Sequence, residues 1–98
     1  MSGGYDNQAA DAYNAVGGGL YNNIYADYSS IGGGGYNVVY AEWSTVSGGA
    51  YNAAYFDLTT INGGANNVGI GYAGTIVGGI YNSVYYSGYG YISGKCDC

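Results

Sequence analysis

The sequence predicts an all-β protein: a β-solenoid, β-roll or β-helix, of about six 15-residue coils with two short strands per coil. Three observations lead there. A Gly-Gly pair recurs without a slip at Gly3–Gly4, Gly18–Gly19, Gly33–Gly34, Gly48–Gly49, Gly63–Gly64 and Gly78–Gly79. Three residues after each pair stands an asparagine: Asn7, Asn22, Asn37, Asn52, Asn67 and Asn82. A short fixed period marks a chain in which each unit forms one coil and leans on its neighbours. Glycine also recurs too densely for helix, and no 3.6-residue periodicity runs through the chain.

Numbering each unit from its first glycine orders the coil. The glycine pair turns one corner, where a positive φ is required. A first strand is predicted over positions four to eight, with position seven facing inward as Ala9, Ile24, Val39, Ala54, Gly69 and Val84. The acidic position ten lies near the second corner. A second strand follows over positions eleven to fourteen, with the β-branched Val16, Ile31, Val46, Ile61 and Ile76 buried at position fourteen. Alternation along a strand sends positions four, six and eight outward, and eleven and thirteen likewise. The asparagines share the parity of position seven and are expected to stack as an amide ladder, each side chain bonding to the next. One solenoid over 3–92 results, with units 3–17, 18–32, 33–47, 48–62, 63–77 and 78–92 and a cysteine-containing tail over 93–98.

The outward rows are aromatic. Position four carries Tyr21, Tyr36, Tyr51 and Tyr81; position eight carries Tyr25, Tyr40, Tyr55 and Tyr85; position eleven adds Tyr13, Tyr28, Trp43 and Leu58. Each tyrosine buries about 150–250 Å² when covered, whereas soluble monomers seldom expose an apolar patch beyond about 300–600 Å². The rows therefore call for a partner: other copies of the chain, a carbohydrate or cell surface, or ice.

Charge narrows the partners. Only 7 % of residues are charged, and Lys95 is the one cation against Asp6, Asp11, Asp27, Glu42, Asp57 and Asp97. A chain so poor in cations does not neutralise a row of phosphates, so nucleic acid is excluded as a partner. No apolar run is long enough for a membrane span. Met1–Gly4 lacks a basic segment followed by an apolar one, so an extracellular protein beginning here implies a mature piece or release by another route such as lysis.

The commonest residues spell GGxYNxxYxDYSTVx. Gly33-Gly34-Gly35-Tyr36-Asn37 with Trp43-Ser44-Thr45-Val46 carries this pattern, as do Gly48-Gly49-Ala50-Tyr51-Asn52 with Leu58-Thr59-Thr60-Ile61 and Gly18-Gly19-Leu20-Tyr21-Asn22 with Tyr28-Ser29-Ser30-Ile31. It resembles the repeats of trimeric autotransporter adhesin heads (YadA-like) and related repeats in phage and algal-virus fibres, over nearly all of 3–92. The resemblance implies a left-handed β-roll, three chains around one axis, and a fibre or adhesin on a cell surface or virion. Where that family commonly has a small Ala-Ser-Gly-like segment, this chain has Tyr25-Ala26-Asp27, Tyr40-Ala41-Glu42 and Tyr55-Phe56-Asp57.

Catalysis has little to work with. There is no histidine, so the commonest general base and every nucleophile–histidine pair are missing. No cofactor or metal site is expected. The carboxylates of Asp27, Glu42 and Asp57, one per coil, read as a solvated corner before a Ca²⁺ site. Gly69-Ile70-Gly71-Tyr72-Ala73-Gly74 matches GxGxxG in letters only, since no helix follows. Cys96 and Cys98 are poorly spaced to bond each other; they are interchain disulfides in an oxidising compartment or free thiols. Asn66 and Ile70 interrupt the aromatic rows, and the last unit carries one extra residue. The reading is a self-associating structural protein, a homotrimer or filament. The alternatives are an ice-binding protein using a Tyr/Thr ladder with Ser30, Thr45, Thr60 and Thr75, and an amyloid-like filament stacked end to end.

Overall fold

The computed structural model describes residues 4–9, 13–84, 91–92 and 95–96. Over them the chain is all-β, with parallel strands stacked into a β-solenoid. One six-stranded sheet contains Gln8–Ala9, Asn23–Ile24, Val38–Val39, Ala53–Ala54, Val68–Gly69 and Ser83–Val84. The other contains Ala15–Val16, Ser30–Ile31, Thr45–Val46, Thr60–Ile61, Thr75–Ile76 and Tyr91–Ile92. Within each sheet a residue pairs with its equivalent one repeat on, as Val38 does with Ala53 and Thr45 with Thr60. The register shifts once: Tyr91 pairs with Thr75 and Ile92 with Ile76, one residue later than the regular spacing. The extra residue of the last unit thus falls between Val84 and Tyr91.

The core is a single column from each sheet. Ile24, Val39 and Ala54 of position seven meet Val16, Ile31, Val46, Ile61 and Ile76 of position fourteen, all at 0–1 % exposure. Each such aliphatic side chain contributes about 1.5–3 kcal/mol when fully buried. The body measures 31 × 24 × 12 Å. Its longest side matches six strands at a spacing of about 4.8 Å, and its thinnest matches two packed sheets about 10 Å apart.

The strands are shorter than the sequence predicts. Instead of spanning positions four to eight and eleven to fourteen, each is two residues long, at six–seven and thirteen–fourteen. The cause is backbone conformation. Asp6, Tyr21, Tyr36, Tyr51, Asn66 and Tyr81 at position four, and Tyr13, Tyr28, Trp43, Leu58 and Ala73 at position eleven, have φ of 53–60°. This left-handed region costs an L-residue about 1–2 kcal/mol. Stacking offsets it, because the strained peptides bond between coils. Tyr36 N–H donates to the Leu20 carbonyl at 2.8 Å, Tyr51 N–H to Gly35 at 2.9 Å and Leu58 N–H to Glu42 at 3.1 Å. Position three adds a third ladder of single bridges, from Tyr5↔Leu20 to Ala65↔Ile80. It ends where Gly79–Ile80 pairs with Lys95–Cys96, so the segment expected as a tail contributes a strand.

Only the second glycine of each pair is held to glycine by space. At φ 87–95°, a Cβ at Gly19, Gly34, Gly49 or Gly64 would overlap the carbonyl oxygen of the next coil's equivalent glycine. Gly48, Gly63 and Gly78, the first of their pairs, face open space.

Candidate interaction surface

Two internal polar ladders hold the outer rows in register. Each asparagine from Asn7 to Asn67 accepts, through Oδ1, the backbone N–H of the next asparagine at 2.9–3.1 Å. The Nδ2 of Asn22, Asn37, Asn52, Asn67 and Asn82 donates at 2.9–3.1 Å to the first glycine carbonyl of its own unit. A second donation, from Asn7 through Asn67, reaches the second glycine of the next unit at 2.9–3.1 Å. The rungs therefore run mostly from side chain to backbone. Direct amide-to-amide bonds join Asn22 to Asn7 at 3.1 Å and Asn37 to Asn22 at 3.0 Å.

The second ladder, at position twelve, was not among the expected site residues. Ser44 N–H donates to Ser29 Oγ and Thr59 N–H to Ser44 Oγ, both at 3.1 Å. The hydroxyls of Ser29, Ser44 and Thr59 reach the position-nine carbonyls of Ala41, Phe56 and Gly71 at 3.0–3.2 Å. Parity with the buried position fourteen was the signal that would have found them.

The aromatic rows stand on these ladders as three columns. Tyr21, Tyr36 and Tyr51 stack with centroids 5.1 and 4.9 Å apart, and Tyr5 meets Tyr21 edge-on at 5.5 Å. Tyr25, Tyr40 and Tyr55 stack at 5.3 and 5.0 Å. Tyr13, Tyr28 and Trp43 stack at 4.8 and 4.3 Å, the last pair only 1° from parallel. Asn66 separates Tyr81 from the first column, and Ile70 follows Tyr55 in the second. Tyr85 and Cys98 lie outside the described residues, as does the side chain of Cys96. Burial, a hydrogen bond to Tyr5 and the nearby Asp6 and Tyr36 together push the Tyr21 phenol above its ordinary value of 10.0.

The acidic row runs beside the second column. Asp57 Oδ1 accepts the Glu42 N–H at 3.0 Å. Between the row and the tyrosines lies an open groove of about 380 Å³. Among the described residues no three acidic, cysteine or histidine side chains converge as metal ligands, and no helix is long and apolar enough to cross a membrane. The described surface offers stacked rings, carboxylates and a row of threonine hydroxyls, which suits contact and docking chemistry. No protein-family model matches the chain, and no curated protein or solved structure matches it.

Proposed function

We propose that the chain is a structural, non-enzymatic protein, a solenoid of six 15-residue coils that associates with its own copies into a fibre, adhesin head or filament. The observation that carries this reading is the set of aromatic columns. Tyr36, Tyr40, Trp43, Tyr51 and Tyr55 are 41–56 % exposed while already stacked and aligned by the backbone beneath them. Rings ordered before docking lose little further side-chain freedom, so covering them yields more net stabilisation than covering mobile ones. A homotrimer is the first assembly to expect, in keeping with the fibre repeats the sequence resembles. Its setting is extracellular, on a cell surface or on a virion. A carbohydrate surface suits the same rings.

Sedimentation velocity across the micromolar range tests the reading. The expected particle is about three times the 10.0 kDa chain or larger, and it shrinks when Tyr36, Tyr40, Tyr51 and Tyr55 are replaced by serine. A lone 10.0 kDa particle at every concentration removes it.

One observation favours ice binding as a second reading. Thr45, Thr60 and Thr75 pair directly across neighbouring strands, giving a regular hydroxyl row on a thin, flat body. Thermal hysteresis by the chain supports that reading; unaltered ice growth at millimolar protein ends it.

A further inference from the structure

We propose that the groove between the second aromatic column and the acidic row is a binding site for a cationic side chain, a guanidinium or ammonium on an apolar stem, as a basic polypeptide would present it. The groove is built from one chain and needs no second copy, but its wall shares Tyr40 and Tyr55 with the surface proposed for self-association. A cationic side chain and another copy therefore compete for it, and the titration is run at a concentration where the chain sediments as a monomer. Position nine makes its floor: Ala41 is buried and Ala26 half-buried. Tyr40 and Tyr55, stacked on each other at 5.0 Å, form one wall. Glu42 and Asp57 form the other. Phe56, the bulky member of the position-nine row, and Tyr72, in place of an acid at position ten, stand at one end.

The arrangement suits a cation carried on an apolar stem. Successive carboxylates one strand spacing apart, about 5 Å, repel each other, and a positive charge between them relieves that repulsion. Asp57 is steadied by its bond to the Glu42 N–H at 3.0 Å. Tyr40 is stacked face to face between Tyr25 and Tyr55, so the column turns ring edges to the groove and supplies an apolar wall for the stem, while the carboxylates opposite take the charge. The small floor of Ala26 and Ala41 leaves room for an aliphatic stem beside the rings. The chain has one cation, Lys95, and a net charge of −5, so the required charge is one a partner brings.

The test is a titration of the intact chain, labelled with ¹⁵N, using n-butylguanidinium chloride, with n-butylurea as the neutral probe of nearly the same shape. Saturable shifts centred on the amides of Ala41, Glu42 and Phe56 are expected, with an affinity of about millimolar that falls as salt rises. The E42Q/D57N variant should bind at least about fivefold more weakly. The amide oxygen that D57N introduces still accepts the backbone N–H one coil back, so the corner keeps its bond. A41F, which extends the Phe56 row into the floor, should also bind more weakly. D27N removes the next carboxylate of the row, one strand spacing from Glu42 but outside the groove lining, and should weaken binding by less than E42Q does. Equal binding of n-butylurea, shifts that do not saturate, or an equal loss in D27N and in the E42Q single variant would overturn the proposal.

Discussion

Each coil contains two corners of the same design, and they differ in how firmly they fix their residues. At both, a left-handed residue precedes a buried polar side chain, which precedes a two-residue strand. In the first half these are position four, asparagine and positions six–seven. In the second they are position eleven, a hydroxyl and positions thirteen–fourteen. The asparagine is unvaried through all six units, while position twelve drifts through Asn14, Ser29, Ser44, Thr59 and Gly74. Hydrogen-bonding capacity explains the contrast. An amide supplies two donors and an acceptor, and Asn52 uses all three, on Gly48, Gly64 and Asn67. A hydroxyl supplies one donor and an acceptor, as Ser44 does to Phe56 and Thr59, so one bond fewer is lost with it. Where Gly74 stands, its backbone N–H turns back to Gly71 at 3.2 Å instead.

The sharpest way to break the first corner is through its glycines. Gly49→Ala puts a Cβ into a neighbouring carbonyl at φ 89° and should cost about 4 kcal/mol or more. Gly48→Ala faces open space and should stay within about 0.5 kcal/mol. Urea unfolding of the two single variants measures the difference; equal losses would show that the pair acts through flexibility rather than contact.

Next come the two ladders themselves. Asn52→Ala takes the side-chain partner from the buried Asn67 N–H and from the Gly48 carbonyl, while the Gly64 carbonyl keeps the Ala50 N–H at 3.0 Å. It should cost about 2–4 kcal/mol, against about 1–2 for Ser44→Ala. If the serine variant proves as costly as the asparagine one, bond count is not what separates the corners.

A smaller effect links the two halves. A Cβ at Gly69 would collide with the Thr59 methyl, so the threonine at position twelve fills core space that a larger residue occupies elsewhere at position seven. Gly69→Ala should cost about 1–3 kcal/mol alone, and adding Thr59→Ser should recover about 1–2 of it in a double-mutant cycle. Additive losses would disprove the link.

The smallest prediction concerns Tyr21. Its phenol is held neutral above the ordinary value of 10.0 by burial, the Tyr5 hydrogen bond and the charges of Asp6 and Tyr36. A group that loses its proton later in the fold than in the open chain stabilises fully below the unfolded value, and that contribution is lost as pH rises through the folded one. Stability should therefore fall above about pH 10, and Tyr21→Phe should flatten the fall. Phenolate absorbance should also assign Tyr21 a later ionisation than the unfolded chain shows.

Legibility in the sequence followed the type of constraint. The buried columns at positions seven and fourteen were readable because stacking leaves each interior site with one environment, repeated. The asparagine column was readable for the same reason, although its bonds run chiefly to backbone rather than from amide to amide. Position twelve escaped because its residues vary, and an accommodating site leaves a weak pattern. The groove escaped because its floor, Ala26 and Ala41, is a short stretch of a position-nine row that ends at Phe56, and repeats hide exceptions.

Composition and period alone determined that this chain stacks coil on coil, because glycine, asparagine and β-branched residues at a constant interval have no other way to bury themselves. Tertiary structure alone decided that the aromatic residues at positions four and eleven sit at left-handed corners and that the strands shrink to two residues. The physical reason is that this backbone conformation is unfavourable for any one tyrosine. Hydrogen bonds from the coils on either side make it tolerable, and no local stretch of sequence contains those neighbours.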